Sequence, residues 1–380
     1  MELTELRERI DRIDADLVRL FTERMALSGQ VAEYKKEHNL PALDASRERQ
    51  KLAAVRAAAG EQFAQPASVL YGTILDLSRA YQDGLLLGPS ELAGKIEKAL
   101  ETTPKLFPQS ALVACQGVEG AYSQIAAEKL FAMPDIMYCN HFKAVFSAIE
   151  SGLCQYGVLP LENSTAGSVT SIYDLMMEHN FSIVRSVRLK VDHNLLAKKG
   201  TKIADIKEIY SHEQAINQCQ EFLKTLPGVK VTVCENTAVA AKLVAESDRA
   251  DAAALSSRSC AELYGLSTLA SGVQDQGNNY TRFICIAKNL EIYPGADRTS
   301  IMLTVPHKPG SLYRVLARIN ALGLNLNKLE SRPIPERDFE FMFYFDLDTS
   351  VYSPQFIQLM NELDTLCEHF EYLGSYTEIV

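Results

Sequence analysis

The chain is expected to be multidomain, with an all-helical N-terminal segment, a central α/β segment and a C-terminal α+β segment of ferredoxin-like order. Three observations predict this. Apolar residues recur at alternating spacings of three and four from Leu3 to Tyr34, short apolar runs alternate with helical stretches from Ala111 to about Leu290, and from Thr299 the order reads strand, helix, strand, strand, helix, strand. At 380 residues the chain has room for two or three domains, because single cores rarely grow beyond about 250 residues.

The first helix carries Leu3, Leu6, Ile10, Ile13, Leu17, Leu20, Leu27, Val31 and Tyr34 on one face and ends near Asn39 and Pro41. A second helix begins after Asp44, and a third runs from about Pro66 to Tyr81. A first helix of this length spans roughly 50 Å, too long for a small bundle, so a second copy packed along it is expected. The stretch from Gly84 to Pro108, with Gly88-Pro89 and Thr102-Thr103-Pro104, reads as a linker around one short helix. In the α/β segment, residues 111–115, 156–161, 181–189, 209–211, 229–234, 252–255 and 283–287 read as strands. In the last segment, His307-Lys308-Pro309-Gly310 turns into a helix and Ser353-Pro354 opens another. The expected boundaries are 1–90 for the helical domain, 91–109 for the linker, 110–289 for the α/β domain and 298–380 for the last domain.

Composition narrows the function. A formal net charge of -10 without a polybasic tract argues against nucleic acid or an anionic membrane as partner. No apolar run is long enough to span a bilayer and the charged start lacks a signal-peptide core, so a cytoplasmic protein is expected. The eight cysteines and seven histidines are dispersed without metal-site spacing, and neither GxGxxG nor GxxxxGK[ST] occurs. No metal or cofactor is expected.

Arg24 interrupts the apolar stripe, and an unpaired guanidinium on a buried seam is costly, so Arg24 should meet an anion, either a protein carboxylate or a ligand. Lys35 follows on the same face about 16 Å along. Asp44, Arg47 and Glu48 sit at the start of the second helix, where Asp44 is also a good N-cap and Glu48 suits a first turn. Ser78 and Gln82 share a face at i and i+4. Arg7 lies about 25 Å from Arg24 along one helix, beyond reach of the same small ligand unless an antiparallel partner delivers it. Pro160-Leu161-Glu162-Asn163-Ser164-Thr165-Ala166-Gly167-Ser168 gathers hydroxyl and amide donors at a strand end, where open α/β sheets bind ligands. Gly117-Val118-Glu119-Gly120 precedes a helix, as an anion cradle or a plain turn. Ser211-His212-Glu213-Gln214 and Asn278-Asn279-Tyr280-Thr281-Arg282-Phe283 follow, with His212 readable as a helix start.

Leu6-Arg7-Glu8, Glu23-Arg24, Lys35, Asp44 with Arg47-Glu48-Arg49, and Ser78 with Gln82 resemble the all-helical chorismate mutases. The resemblance implies two intertwined chains, with Arg24, Lys35 and Arg47 holding substrate carboxylates, Arg7 supplied by the partner, and Lys35 and Gln82 flanking the ether oxygen. Asp44, Glu48 and Ser78 complete the implied site, Glu48 among its catalytic groups. The Glu162-Asn163-Ser164 string and the Thr281-Arg282-Phe283 triplet resemble prephenate dehydratase, which implies a two-lobed α/β domain with its active site in the cleft. Thr281 is then the donor to the departing hydroxyl, Glu162 an alternative acid, and Asn163, Ser164, Arg282 and Phe283 substrate-binding groups. Pro309-Gly310-Ser311-Leu312 and Leu329-Glu330-Ser331-Arg332-Pro333 resemble the ACT regulatory domain, with phenylalanine implied at Gly310, Ser311, Leu312, Asn325, Leu326, Glu330 and Ser331. Ser311 stands where Ala is more usual. The three segments in this order resemble the family that joins chorismate mutase to prephenate dehydratase under phenylalanine feedback, working as a homodimer or higher homo-oligomer. The competing expectations are a lone dehydratase with a non-catalytic helical arm and a phenylalanine-sensing binding protein.

Overall fold

Helix α1 (Leu3–Glu37) realises the long stripe and stops where Asn39 takes a positive φ of 53°. The computed structural model describes residues 2–41, 43–87, 90–335 and 337–380. Helix α2 (Ala45–Leu87) opens at Asp44, whose Oδ1 accepts the Arg47 amide at 2.9 Å. The sequence predicts a new helix at Pro66, but the two run on as one element whose break lies at Gly60, with φ 69° and ψ 169°. A residue without Cβ takes that conformation at little cost, so the interruption falls there. Helix α3 (Glu91–Thr102) is the short helix of the linker stretch, and Gly88-Pro89 lies outside the described residues.

Along the chain follow β1 (Ser110–Gln116), α4 (Tyr122–Leu130), β2 (Met133–Cys139), α5 (Phe142–Glu150), β3 (Tyr156–Asn163), β4 (Gly167–Ser168), α6 (Thr170–Met176), β5 (Ser182–Lys190) and β6 (Asn194–Ala197). Next come β7 (Glu208–Ser211), α7 (Glu213–Asn217), α8 (Gln220–Lys224), β8 (Lys230–Val233), α9 (Thr237–Glu246), β9 (Ala252–Ser256), α10 (Arg258–Leu263), β10 (Ser267–Ala270) and β11 (Tyr280–Ala287). The remainder is β12 (Arg298–Thr304), α11 (Ser311–Ala321), β13 (Asn325–Pro333), β14 (Phe341–Asp348), α12 (Pro354–Leu366), β15 (His369–Tyr376) and β16 (Glu378–Ile379).

These strands form three sheets. One runs β16-β5-β11-β3-β1-β2 with β4 on β3, a second β10-β6-β9-β7-β8, and a third β13-β14-β12-β15. The first two are the lobes of the α/β segment. Strand β2 escapes the sequence reading because it opens Met133-Pro134-Asp135, a composition tolerated on this sheet edge. Buried apolar side chains line the first sheet, with Val113, Val158 and Cys285 toward α4 and Leu159, Leu161, Ile284 and Ile286 on the other side.

By its contacts the chain divides into two compact units, residues 1–95 with 357–366, and 96–356 with 367–380. Within the larger unit the third sheet is joined to the first: β16 pairs in parallel with β5, and β15 runs close against it. A Cβ built on Gly374 would lie 2.3 Å from the Ile183 carbonyl oxygen, so that approach requires glycine. Within the smaller unit, the α1 face that predicts burial is bare: Leu3, Ile10, Leu17 and Leu27 are 62, 55, 53 and 54% exposed. Among the described residues no helix is long and apolar enough to cross a membrane.

Candidate active sites

In the helical unit, α1 and α2 face each other with complementary polar pairs. Arg24 Nη1 donates to Ser78 Oγ, and Lys35 Nζ donates to Gln82 Oε1 at 3.1 Å. Ser78 and Gln82, 4 and 8% exposed, are buried neutral partners, and among the described residues Arg24 pairs with no carboxylate. A neutral partner leaves the guanidinium charge for an anion. Because the Gln82 oxygen turns toward Lys35, its amide N–H groups are left for another acceptor. Ser28 and Ala32 are the buried α1 residues on this face, small enough for the two helices to approach.

The other expected residues divide. Glu48 is held by Arg79 Nε at 3.4 Å, and Arg79 also pairs with Asp76. Asp44 acts as the N-cap. The side chains of Arg47 and Arg7 are exposed. The chain therefore brings together Arg24, Lys35, Ser78 and Gln82, while Arg7 stands at the far end of α1.

In the larger unit a cavity of about 380 Å³ opens between the two α/β lobes. From the first sheet and its helices it is lined by Gln116, Tyr122, Ser123, Pro160, Asn163, Thr281 and Phe283, and from the second by His212, Gln214, Gln218, Glu235 and Asn236. A more open cavity of about 590 Å³ shares His212, Gln214 and Gln218 and extends to Thr165, Glu213 and Asp275. The smaller one, lined by Asn163, Thr281 and Phe283, holds the expected chemistry and is the candidate site.

A closed amide network sets the cleft floor. Asn163 Nδ2 donates to Thr281 Oγ1 at 2.9 Å and to Asn279 Oδ1 at 2.7 Å. Asn279 Nδ2 donates to Gln218 Oε1 at 3.0 Å, and Gln218 Nε2 donates to Thr165 Oγ1 at 2.7 Å and, more distantly, to Asn163 Oδ1 at 3.4 Å. His193, 3% exposed, places Nε2 2.9 Å from the same Gln218 oxygen. Burial, opposed by the Gln218 hydrogen bond, holds the His193 pKa below its ordinary value. The imidazole is then neutral near pH 7, with Nε2–H donating. Since Thr281 Oγ1 already accepts from Asn163, its own proton points to the remaining direction, the cavity.

Three expectations are corrected here. Arg282 does not face the cleft: Thr281 and Phe283 line it, and strand alternation turns Arg282 to the opposite side, where it is 5% exposed. Glu162 is likewise turned away, paired with Arg282 at 3.1 Å and Lys328 at 3.0 Å. Ser164 spends its hydroxyl on the 278–280 loop, donating to the Asn278 carbonyl and accepting from the Tyr280 amide, each at 2.9 Å. His212 caps α7, accepting the Gln214 amide, as the plain helix-start reading requires, and it also lines the cavity.

Among the residues expected at a phenylalanine site, Gly310 takes φ 85° as the cap residue of α11, with Ser311 and Leu312 in the first turn. On β13 exposure alternates, with Asn325 and Ser331 on the exposed row and Leu326 and Glu330 on the half-buried row. Glu330, also expected there, accepts from Ser168 Oγ at 2.5 Å, so its carboxylate faces the α/β segment. His193, Gln218 and Asn279 are cleft residues that the sequence reading does not single out. The available signal is the pairing of polar side chains at the ends of β5, α7 and β11.

Two family models match: chorismate mutase type II over residues 6–83 and prephenate dehydratase over 113–291. The bifunctional chorismate mutase/prephenate dehydratase of Aquifex aeolicus is 32% identical over 377 residues, covering 99% of this chain and 98% of that protein. The arogenate dehydratase/prephenate dehydratase 2 of Arabidopsis thaliana is 35% identical over 314 residues, covering 80% of this chain and 81% of that one. The crystal structure of the Arthrobacter aurescens prephenate dehydratase in complex with L-Phe matches with a TM-score of 0.65 at 26% identity, over 70% of this chain and 90% of that one.

Proposed function

The chain belongs to the bifunctional chorismate mutase/prephenate dehydratase family, and we propose how its residues divide the work. It rearranges chorismate to prephenate and converts prephenate to phenylpyruvate, consecutive steps of phenylalanine biosynthesis. The observation that carries the division is that each unit holds its own set of aimed donors: Arg24, Lys35, Ser78 and Gln82 in one, Thr281 with its amide network in the other.

The first reaction breaks an ether C–O bond as a C–C bond forms, and it needs no nucleophile. A pocket that folds the dianion into its reactive conformer and meets the charge growing on the ether oxygen is enough. Arg24 takes a carboxylate, while Lys35 and the free N–H of Gln82 meet the ether oxygen. Arg47 of the same chain completes the site together with Arg7 from a second copy, which covers the bare apolar face of α1. The working state is thus a homodimer or a larger homo-oligomer. The second reaction breaks the carboxylate–ring bond, its electron pair aromatises the ring, and the ring hydroxyl departs. Thr281 donates to that leaving oxygen, and Phe283 and Pro160 supply an apolar wall that leaves the departing carboxylate poorly solvated.

The order β13-β14-β12-β15 with α11 and α12 between strands supports a ferredoxin-like ACT domain at 298–380. We assign phenylalanine to its Gly310, Ser311, Leu312, Asn325 and Ser331 side, as a feedback ligand opposed by substrate through linkage. Cys115, Cys139, Cys154, Cys219, Cys234, Cys260 and Cys285 are free thiols, in keeping with a cytoplasmic setting. The deciding assay supplies chorismate and follows prephenate and phenylpyruvate with and without phenylalanine. Phenylpyruvate suppressed by phenylalanine is expected. Phenylpyruvate formation indifferent to phenylalanine overturns the feedback assignment.

A further inference from the structure

We infer that Asp346 and Glu378, acting through Arg282, are positioning residues for the dehydratase reaction: they fix strand β11, and with it Thr281, Asp346 from the C-terminal sheet and Glu378 from the edge strand β16. The inference rests on the assignment of Thr281 proposed above. Arg282 is one peptide from Thr281 and stands on the opposite face of β11. Its guanidinium gathers groups from both parts of the larger unit. Nη2 donates to the Tyr376 hydroxyl at 2.9 Å and Nη1 to Glu162 at 3.1 Å; Nη1 also pairs with Asp346, and Nε lies 3.4 Å from Glu378. Glu162 belongs to β3, beside β11 in the cleft-bearing sheet, whereas Asp346 lies on β14 and Tyr376 on β15 of the C-terminal sheet.

An outer ring ties the hub in place. Glu378 also pairs with Arg188 at 2.5 Å and Arg298 at 3.2 Å, and Glu162 with Lys328 at 3.0 Å. Lys328 Nζ reaches Ser168 Oγ at 2.7 Å, which in turn meets Glu330, and Arg332 makes a two-pronged pair with Asp174 at 2.7 and 2.9 Å. The half-buried row of β13 is therefore engaged with the segment that follows Asn163. Burial opposes the Arg282 charge, but Tyr376, Asp346, Tyr344 and Glu162 more than offset it, so the group stays cationic.

Separating a buried charge from its partners is costly, so the C-terminal sheet cannot shift without carrying Arg282 along or leaving carboxylates unpaired. Any such shift passes along β11 to the Thr281 hydroxyl, whose aim at the leaving oxygen tolerates little displacement. A purely structural hub would instead lower the folded fraction and leave turnover per folded chain unchanged.

The test uses the full chain with the isosteric variants Asp346→Asn and Glu378→Gln, assayed with prephenate, with mutase turnover in the same preparation counting folded enzyme. The expected result is a dehydratase kcat lowered about ten-fold or more with KM within about two-fold and mutase turnover unchanged. Arg282→Lys, which keeps the charge, should retain more kcat than Arg282→Gln. Calorimetry with phenylalanine should show unchanged affinity while inhibition weakens. Wild-type kcat in both isosteric variants overturns the inference, and so does an equal loss of the two activities. If neither variant folds, Lys328→Met on the partly exposed outer ring decides: a kcat lowered about three-fold supports positioning, and an unchanged kcat refutes it. Thr281→Ala separates the two claims. Full turnover there removes the Thr281 assignment, whereas loss there with intact hub variants removes the positioning inference alone.

Discussion

The helical unit and the α/β cleft solve the same problem, holding a small dianion, in opposite ways. In the cleft the polar groups satisfy one another within one chain: Asn163, Asn279, Gln218 and Thr165 close a ring that also holds the Thr281 hydroxyl. On α1 and α2, Arg24 and Lys35 reach across to Ser78 and Gln82, and the apolar stripe beside them is bare. A sheet brings residues distant in sequence to one point, so a cleft can be completed within a chain. A rod of 35 residues spreads its charges along its length, so Arg7 and Arg24 of one chain cannot converge on one small ligand.

The largest effects test that contrast directly. Arg24→Ala should lower mutase kcat/KM about 10²–10³-fold, the scale for losing one aimed donor, and leave dehydratase turnover unchanged. A parallel fall in both activities, measured on one preparation, would break the separation of the sites. Thr281→Ala should lower dehydratase kcat about 10²-fold while mutase turnover stays the same. Mixing Arg7→Ala with Arg24→Ala chains sharpens the comparison. Each variant alone should be nearly inactive as a mutase, but random exchange should restore about a quarter of the sites, because the mixed dimer places both defects in one site and leaves the other whole. No recovery after denaturation and mixing would show that one chain suffices.

Two smaller effects concern stability. Asp44→Ala removes the cap of α2 and should cost about 1 kcal/mol, visible as a lower midpoint in denaturant for the helical unit alone. His193 has a folded pKa below 6.5, so the unfolded chain binds more protons between the folded value and 6.5. Stability of the α/β unit should therefore fall as pH drops through about 6.5 and level off below the folded pKa, and His193→Gln should flatten that slope. An unchanged slope would place the imidazole outside the network.

Much of this was legible in the sequence because it is local. The α1 stripe, the Asp44 cap and the donor-rich strand end at Asn163 are each decided within a few positions. What escaped depends on long separations: His193 meets Gln218 25 positions away, and Asn163 meets Asn279 116 positions away. Arg282 is a different case, since the period of a strand already says that Thr281 and Arg282 cannot face the same cleft. Reading the triplet as one functional block hid that alternation. The same alternation sets Glu330 beside Lys328 and Arg332 on the row turned to the α/β segment.

Strand β16 gives the chain a timetable. Its two residues add to the edge of a sheet whose first strand begins at Ser110, and between β11 and β16 the ribosome must make about a hundred more residues. At the usual pace of synthesis this takes roughly 5–20 s. Through much of that interval Arg282 has Glu162 at hand but lacks Asp346 and Glu378, and the α/β lobes wait with an uncapped edge. The helical unit has the bulk of its chain made first, so its α1 and α2 can pair before the second enzyme is complete.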